Sequence, residues 1–438
     1  MLEVVKISRK SKDIITMGFA LFAIFFGAGN LIFPPYLGVV SGSNYLKAMG
    51  GFLLTDPVLP VLGVIVTASL GGRAEDLGKR VSPNFSKILS AIAILAIGPF
   101  FAVPRTAATT HDIAVSQIFP SLPLWVTSTL FFVVTIIFCL NESNVVSYIG
   151  NLLTPSLLIV LALIIIKCII HPIGPVKVIA DENFFLRGFT EGYQTMDALG
   201  AALMAGIVKT DVLRRGYKDP KEQLNIMVKV GIVCFILLAF VYGGLTYIGA
   251  TASGMYTADT ERVTVLLGTV ASLFGEIGKI VIGIGVSLAC LTTSVGLTAT
   301  CGNFFESVSN GKLKYKYVVL ASAGVSVILS LLGVEGLISL AVPILLTIYP
   351  VIIVLIIMSI FDKQIKYSET YVGGVVGAFI PSLIQSLNMS FNILEGPANF
   401  VTSLPLKSYG FEWLIPVIIS TSLFTIYGMV KNKKTIAN

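Results

Sequence analysis

The chain carries a short glycine-rich, polar interruption inside a long apolar stretch near its beginning. Residues 18–38 read GFALFAIFFGAGNLIFPPYLG, with GAGN at 27–30 in the middle and PP at 34–35 after it. Glycine lowers helix stability by about 1 kcal/mol relative to alanine, and proline removes a backbone donor. In lipid, backbone groups freed in this way must face protein or a watery cavity. The stretch therefore predicts a membrane helix that is either broken or kinked at these residues, and a broken one can bind a ligand.

A break at this point would place unpaired backbone groups on two sides of one gap. The first half of the helix would end near Phe26 with exposed carbonyls, the negative end of the helix dipole. The second half would begin near Ala28 and Gly29 with free N–H groups, the positive end. A zwitterionic amino acid carries an ammonium and a carboxylate on one carbon, so it complements both ends. Asn30 adds a side-chain oxygen that suits Na⁺ or, alternatively, makes an ordinary hydrogen bond between helices.

A second apolar stretch, residues 189–209, carries a carboxylate in its interior. It reads FTEGYQTMDALGAALMAGIVK and includes Gln194, Thr195 and Asp197. A charged side chain within a membrane span is costly, so it is a functional candidate by default. Asp197 could receive a substrate ammonium, complete a cation site, take up a proton, or cap the second half of an interrupted helix. Gln194 and Thr195 could offer oxygens on an unwound segment.

Three consecutive hydroxyl residues lie in another apolar stretch. Thr292, Thr293 and Ser294 occupy adjacent faces of a helix, so one or two of them could ligate a cation. In membrane helices such residues more commonly bond their own backbone or pack against a neighbour. Taken alone, this run favours a packing role.

Other internal ionisable residues are more ambiguous. Asp56 precedes Pro57 and could cap a kinked turn. Arg105 and Asp112 lie about two helical turns apart and could form a gate or a structural pair. Neither Arg105 nor Asp112 is predicted to be a ligand.

The elements that must position these residues are membrane helices. The mean hydropathy is +0.90, 55% of residues are hydrophobic and only 12% are charged, whereas a soluble domain carries about 25% charged residues. We therefore expect one all-α polytopic membrane domain, 1–438, in the lipid bilayer. Windows of about 19 residues predict about twelve spans, at 14–40, 46–69, 86–110, 122–140, 146–170, 189–209, 225–250, 276–305, 315–333, 336–360, 370–388 and 411–430. The segment 262–274 is predicted to be an external helix packed on the protein.

The placement of basic residues predicts the orientation. Most of the 30 Lys and Arg residues fall in loops on one side of the predicted spans, together with both termini. Positively charged loops stay in the cytoplasm, so both termini are predicted to be cytoplasmic. The same placement explains the net charge of +7 without a nucleic-acid partner.

Several protein classes lack support in the sequence. No phosphate-binding loop of the GxxxxGK[ST] type is present, so an ATPase function of this chain is not expected, and no ATPase subunit is evident. No hydrolase or zinc-protease motif is present, so an enzyme is not expected. The five cysteines are isolated in apolar stretches and suit no zinc site. A channel would need a continuous polar pathway, whereas two interrupted helices favour a carrier.

Four segments carry a resemblance to a known family. GFALFAIFFGAGNLIFPPYLG, GPFFAVPRTA, FTEGYQTMDALGA and LACLTTSVGLT resemble, in order, the bacterial branched-chain amino acid:cation symporters of the BrnQ type. The resemblance implies a LeuT-type fold of five plus five inverted helices with broken helices 1 and 6. The implied repeats are 14–170 and 189–360, followed by two additional helices at 370–430. It also implies import of leucine, isoleucine and valine across the bacterial cytoplasmic membrane, coupled to Na⁺; a carrier coupled to H⁺ or an exchanger is the alternative.

The same resemblance implies roles for individual residues. The substrate-binding residues would be Phe25, Ala28, Gly29, Gln194, Thr195 and Asp197. The Na⁺ ligands would be Asn30 at one site, and Ala23 and Phe26 with Thr293 and either Thr292 or Ser294 at a second. Asp197 replaces a small hydroxyl residue common in sodium-coupled relatives, which leaves the choice between Na⁺ and H⁺ open.

Overall fold

The fold is built from helices throughout the part of the chain that the structure describes. The computed structural model describes residues 9–140, 145–180 and 182–437, and it contains no strand in these ranges. The first helices are α1 (Arg9–Phe25), α2 (Ala28–Ser41), α3 (Tyr45–Leu53), α4 (Leu59–Leu70), α5 (Pro83–Leu95), α6 (Ala102–Thr110), α7 (Ser116–Ile118), α8 (Leu124–Leu140) and α9 (Val145–Ile170). They are followed by α10 (Phe184–Tyr193), α11 (Asp197–Arg214), α12 (Pro220–Thr251), α13 (Arg262–Val308), α14 (Tyr315–Ser330), α15 (Gly333–Ile360), α16 (Ser368–Phe391), α17 (Glu395–Ser403) and α18 (Leu414–Ala437).

These helices follow the predicted membrane spans. Within the described ranges, seven helical segments are long and apolar enough to cross a membrane: Gly29–Leu70, Pro83–Ile118, Pro220–Thr251, Arg262–Val308, Gly333–Ile360, Ser368–Phe391 and Leu414–Lys431. Shorter apolar helices occupy Leu124–Leu140, Pro155–Ile170 and Tyr315–Ser330. The prediction of an all-α membrane protein is confirmed, with seven long spans and three shorter apolar helices in the described ranges where about twelve spans were predicted.

Span 1 is broken, and the break lies at the glycines rather than at the prolines. Helix α1 ends at Phe25 and α2 begins at Ala28. The amide of Gly27, which would continue the α1 ladder to Ala23, donates instead to Asn30 Oδ1 at 3.2 Å. The Asn30 side chain thus caps the second half of the span, and the Ala23 carbonyl is released from its usual helical partner.

Span 6 is broken in the same manner. Helix α10 ends at Tyr193, and α11 begins at Asp197. Between them Met196 adopts the left-handed conformation, with φ 64° and ψ 11°. A residue in that conformation cannot continue a right-handed helix, so the chain restarts at Asp197. The sequence correctly placed both interrupted helices.

Spans 2 and 3 are also interrupted, which the sequence analysis did not predict. A π-helical segment, Leu54–Val58, separates α3 from α4, and Asp56 within it has the extended values φ −145° and ψ 107°. A second such segment, Ala96–Phe100, separates α5 from α6. Single-turn π-helical segments are frequent at functional sites; the first of these contains Asp56, and the second ends five residues before Arg105.

The two broken spans are joined by ion pairs on the face that carries the N-terminus. Arg215, directly after α11, donates from Nη1 to Asp13 of α1 at 2.7 Å, and Tyr217 donates to the same carboxylate at 2.8 Å. Lys10 pairs with Glu222 of α12 at 2.7 Å. We call these residues the near-face network. It links the start of span 1 to the end of span 6 and the start of span 7.

The segment predicted to be an external helix is the first part of α13. Gly275 interrupts this 47-residue helix with φ 65° and ψ −159°, a conformation that L side chains rarely adopt. The residues before Gly275 bury Val263, Leu266 and Val270 against the rest of the protein. The bend therefore separates a packed helix at 262–274 from the span that carries the three hydroxyl residues.

Candidate functional site

The two breaks meet at a cluster of four polar side chains, of which Asn30, Asp56 and Tyr242 are buried and Asp197 is partly buried. The Asn30 Nδ2 atom lies 2.8 Å from Asp197 Oδ2, 3.2 Å from Asp56 Oδ2 and 2.5 Å from Tyr242 Oη. Asn30 is 2% exposed, and Asp56 and Tyr242 are fully buried. An amide nitrogen has two hydrogens, so it cannot donate fully to three acceptors at once. We call these four residues the acid cluster.

The acid cluster brings two carboxyl groups to one nitrogen atom. The Oδ2 atoms of Asp56 and Asp197 both lie within hydrogen-bond distance of Asn30 Nδ2. Two carboxylates this close in a medium of low polarity repel strongly. The second oxygen of Asp56, Oδ1, is buried and has no hydrogen-bond partner in the described part of the chain. The pair therefore needs a proton, an ammonium group or a metal cation to be stable.

Asp197 occupies the first position of α11. A negative charge at the start of a helix is stabilised by the helix dipole. This placement fits the capping role considered above, while the bond to Asn30 joins Asp197 to span 1 as well. Asp197 thus connects the two broken helices at their interruptions.

The unwound turn of span 6 presents both backbone and side-chain oxygens. Gln194 is 4% exposed, and its Oε1 atom has no hydrogen-bond partner among the described residues. The Gln194 carbonyl accepts a hydrogen bond of 2.7 Å from Arg105 Nη1. The Thr195 hydroxyl donates to the Gly192 carbonyl at 2.8 Å. Gln194 therefore has a free buried acceptor at the gap, whereas the hydroxyl of Thr195 is used locally.

The three hydroxyl residues of α13 have different surroundings. Thr292 donates to its own backbone at Ala289 at 3.0 Å, and the buried Ser294 contacts Thr135 of α8 at 3.2 Å. Thr293 lies against the break of span 1, because a Cβ placed on Gly27 would be 3.6 Å from Thr293 Oγ1. Of the three, Thr293 is the one that lies beside Gly27 at the break.

On the face opposite the N-terminus, a second set of charged residues covers the breaks. Arg262 donates from Nη2 to Glu191 of α10 at 2.9 Å, and both its backbone amide and Nη1 bond to Glu335 of α15. Its guanidinium also lies 4.2 Å from the centre of the Tyr36 ring in α2. We call these four residues the far-face network. It joins the second half of span 1, the first half of span 6 and span 10.

A cavity lies on the near-face side of the acid cluster. It has a volume of about 510 Å³ and lies between α1 and α11. Its walls include Met17, Ala20, Ile24, Gly206 and Asp211. The halves of spans 1 and 6 on this side therefore leave room between them.

Comparison with known proteins identifies the family. Residues 10–431 match the model of a family described as "Branched-chain amino acid transport protein". The chain is 36% identical to the branched-chain amino acid permease BraB of Bacillus subtilis (strain 168) over 417 residues, which cover 93% of this chain and 94% of BraB. This chain belongs to the branched-chain amino acid transport protein family. The prediction of a transporter rather than an enzyme is confirmed by this membership.

Two solved structures of one transporter share the fold of this chain. The chain is similar to Mhp1, a nucleobase-cation-symport-1 family transporter, in an inward-facing conformation, with a TM-score of 0.60 at 12% identity, covering 96% of this chain and 91% of Mhp1. It is also similar to Mhp1 in a closed conformation, with a TM-score of 0.58 at 12% identity, covering 95% and 93%. The predicted LeuT-type architecture with broken helices 1 and 6 is confirmed by this similarity.

The structure brings most of the predicted site residues of this transporter to one region. Gly29, Asn30, Gln194, Thr195 and Asp197 lie at the two breaks. The Phe25 side chain is buried at the end of α1, and Ala28 begins α2. Ala23 lies in the last turn of α1 and Phe26 directly follows this helix, while Thr293 lies beside Gly27. Their roles as ligands stay predictions, and the contacts of Thr292 and Ser294 favour Thr293 among the three hydroxyl residues.

Three residues of the site were missed or not assigned from the sequence. Asp56 and Tyr242 belong to the acid cluster, and Arg105 bonds the turn of span 6. Arg105 and Asp112 were considered above as a pair, but they are not bonded to each other. Arg105 instead donates a hydrogen bond to the Gln194 carbonyl. The signal for Asp56 and Arg105 was present, because an ionisable residue inside a membrane span is costly. Tyr242 gave no such signal, since buried tyrosines are common.

Substitution of Arg262 tests whether the far-face network matters for transport. In Arg262→Gln, Glu191 and Glu335 lose their charged partner, and breaking a partly buried pair costs roughly 3 kcal/mol or more. We expect substrate uptake to fall at least tenfold, measured as initial rate in membrane vesicles. The control is Lys279→Gln, because Lys279 pairs with the exposed Glu276 on the same helix. Equal uptake by both variants would mean that the far-face network does not matter for transport.

Proposed function

We propose that this protein is a secondary active symporter that imports leucine, isoleucine and valine together with Na⁺. The substrate class follows from the family, and BraB, named a branched-chain amino acid permease, is similar to this chain over nearly its full length. The breaks of spans 1 and 6 offer both helix-terminal N–H groups and carboxylates, which suit a zwitterion. Branched-chain amino acids share that zwitterionic group and differ only in an apolar side chain.

The observation that carries Na⁺ coupling is the position of Thr293 beside the first break. Helix α1 ends there with carbonyls released from the ladder, and the Thr293 hydroxyl lies next to Gly27. Hard cations bind neutral oxygens of this kind. We infer that the carbonyls of Ala23 and Phe26 and the Thr293 hydroxyl hold the co-transported Na⁺.

The acid cluster favours a second candidate, coupling to H⁺. Asp56 and Asp197 share the Asn30 amide, and a shared proton would relieve their repulsion as well as a substrate ammonium would. In that case the protein would be an H⁺-coupled carrier. An exchanger would use the same substrate site without net coupling to either ion.

We also propose the placement of the protein in the cell. Membership of this family and the excess of basic residues in the loops on the side of the termini support a bacterial cytoplasmic membrane with both termini inside. The near face is then the cytoplasmic face. The proposed repeats are 14–170 and 189–360, with two further spans at 370–430.

Purified protein in liposomes separates these candidates. Uptake of labelled leucine is measured with an inward Na⁺ gradient at equal pH, with an inward H⁺ gradient without Na⁺, and with internal leucine but no gradient. We expect accumulation only in the first condition. Accumulation driven by the H⁺ gradient alone would support the H⁺-coupled carrier. Uptake of labelled leucine only in exchange for internal leucine would support an exchanger. No uptake of leucine in any condition would refute the proposed substrate.

Substitution of Thr293 tests the cation site. Thr293→Ala removes one oxygen ligand, so we expect the Na⁺ concentration for half-maximal leucine uptake to rise about tenfold, the effect of losing roughly 1.4 kcal/mol of Na⁺ binding. Maximal uptake at saturating Na⁺ should change much less. Thr300→Ala is the control, since the Thr300 hydroxyl bonds its own helix at Gly296 at 2.8 Å. An unchanged Na⁺ dependence in Thr293→Ala would assign that hydroxyl a packing role.

A further inference from the structure

Arg105 brings a positive charge into the centre of the protein. Its helix, α6, starts directly after the π-helical segment Ala96–Phe100, in which Gly98 has the non-helical values φ −86° and ψ −117°. This interruption in span 3 lies just before the helix that carries Arg105. The residue is 4% exposed. A buried guanidinium is costly unless an anion and several hydrogen-bond acceptors surround it.

The protein itself supplies few hydrogen-bond acceptors to this guanidinium. Its single hydrogen bond within the described ranges runs from Nη1 to the Gln194 carbonyl at 2.7 Å. None of the ion pairs formed among those residues includes Arg105. One face lies 5.2 Å from the centre of the Phe33 ring. Arginine has five N–H donors in a planar fork, so most of its capacity is left for another acceptor.

The position of the guanidinium matches one end of an amino acid. A Cβ built on Gly29 would lie 2.6 Å from Arg105 Nη2, so the fork lies against the first turn of α2. Free N–H groups at the start of α2 and the fork of Arg105 therefore converge on one place, and both favour a carboxylate. Asp197, one of the two carboxylates of the acid cluster, bonds Asn30, the residue directly after Gly29. Donors for a carboxylate and acceptors for an ammonium therefore lie at adjoining residues of α2.

We propose that Arg105 binds the α-carboxylate of the transported amino acid, a role that rests on the proposed function. Asn30 is occupied within the protein, because its Oδ1 accepts from Gly27 and its Nδ2 faces the acid cluster. Arg105 then supplies the positive charge beside the carboxylate. The site accordingly selects ligands with a free carboxylate and disfavours amino alcohols, which keep the ammonium and the side chain.

The test compares leucine with leucinol, which has a hydroxymethyl group in place of the carboxylate. Dissociation constants for both are measured by calorimetry on the purified protein and on Arg105→Met and Arg105→Lys. We expect the wild type to prefer leucine by about 100-fold, since a site built for a charged hydrogen-bonding group rejects an analogue that lacks it. In Arg105→Met the two dissociation constants should differ by no more than about threefold, mainly because leucine binds more weakly. Arg105→Lys keeps the charge and loses the fork, so an intermediate preference is expected.

Arg262→Met is the matched control. Arg262 lies near the same Phe33 ring, at 5.6 Å from its centre, but it is paired with Glu191 and Glu335. Its loss should leave the preference for leucine over leucinol unchanged. If Arg105→Met and Arg105→Lys leave the ratio of the two dissociation constants as in the wild type, Arg105 is a structural residue and the proposal is wrong. A wild type that binds neither ligand would refute the proposed substrate as well.

Discussion

Leucine uptake is expected to be lost when Gly29 is replaced by leucine. A Cβ at this position would lie 2.6 Å from Arg105 Nη2 and 3.3 Å from the Phe33 ring, so a side chain displaces the guanidinium and fills the gap at the start of α2. A misplacement of about 1 Å at a binding centre costs roughly 100-fold in rate, and the initial uptake rate should fall by at least that factor. The smaller Gly29→Ala should show an intermediate loss.

The matched control for this substitution is Gly296→Leu. Gly296 lies in α13, and a Cβ added there meets no atom within 4 Å. Both variants add the same side chain to a membrane helix, and only one adds it at the break. Folding of each is checked by its amount in the membrane and its elution as a single species. Near-normal uptake by a well-folded Gly29→Leu protein would show that the first turn of α2 is not part of the binding site.

The second large effect is expected for Asp197→Asn. If Asp197 holds the substrate ammonium or Na⁺, its neutral replacement removes one of the two carboxylates available to that cation, at a cost of roughly 3 kcal/mol. Leucine binding should then weaken by about 100-fold, and gradient-driven uptake should disappear with it. Binding, exchange and net accumulation are measured on one preparation of the variant.

The H⁺-coupled alternative gives a different pattern in the same variant. An asparagine imitates a protonated carboxyl group, so binding and exchange would survive while accumulation driven by the H⁺ gradient fails. Asp56→Asn is the companion variant, since Asp56 shares the Asn30 amide with Asp197. Wild-type values for all three measurements in Asp197→Asn would make this residue a helix cap and leave neither mechanism supported.

The sequence contains enough information to predict the spans and the first break. Long apolar runs identify membrane helices because the bilayer has a fixed thickness. The GAGN segment predicts the break because glycines weaken a helix and Asn30 can cap the next one, which it does by accepting from Gly27. Asp197 was identified by its charge in an apolar stretch. These are local signals, and each depends on a few neighbouring residues.

The rest of the site depends on contacts between distant parts of the chain. The partner of Arg105 is the Gln194 carbonyl, 89 residues away, and a backbone carbonyl has no sequence signature. The breaks in spans 2 and 3 were missed because a single Asp-Pro or Gly-Pro pair also fits an ordinary kink. The three hydroxyl residues of α13 could not be ranked, since their different roles depend on Thr135 and Gly27.

The near-face and far-face networks differ in how much solvent reaches their ion pairs. Lys10 and Glu222 have side chains 43% and 39% exposed, and Arg215 and Asp13 are 26% and 15% exposed. On the far face, Arg262 and Glu191 are 12% and 13% exposed, while Glu335, the other partner of Arg262, is 37% exposed. Dissolved ions screen exposed charges over about 8 Å at physiological ionic strength and affect buried pairs much less. Rising ionic strength should therefore weaken the Lys10–Glu222 pair of the near face more than the Arg262–Glu191 pair of the far face, so we expect salt to favour opening on the side of the termini.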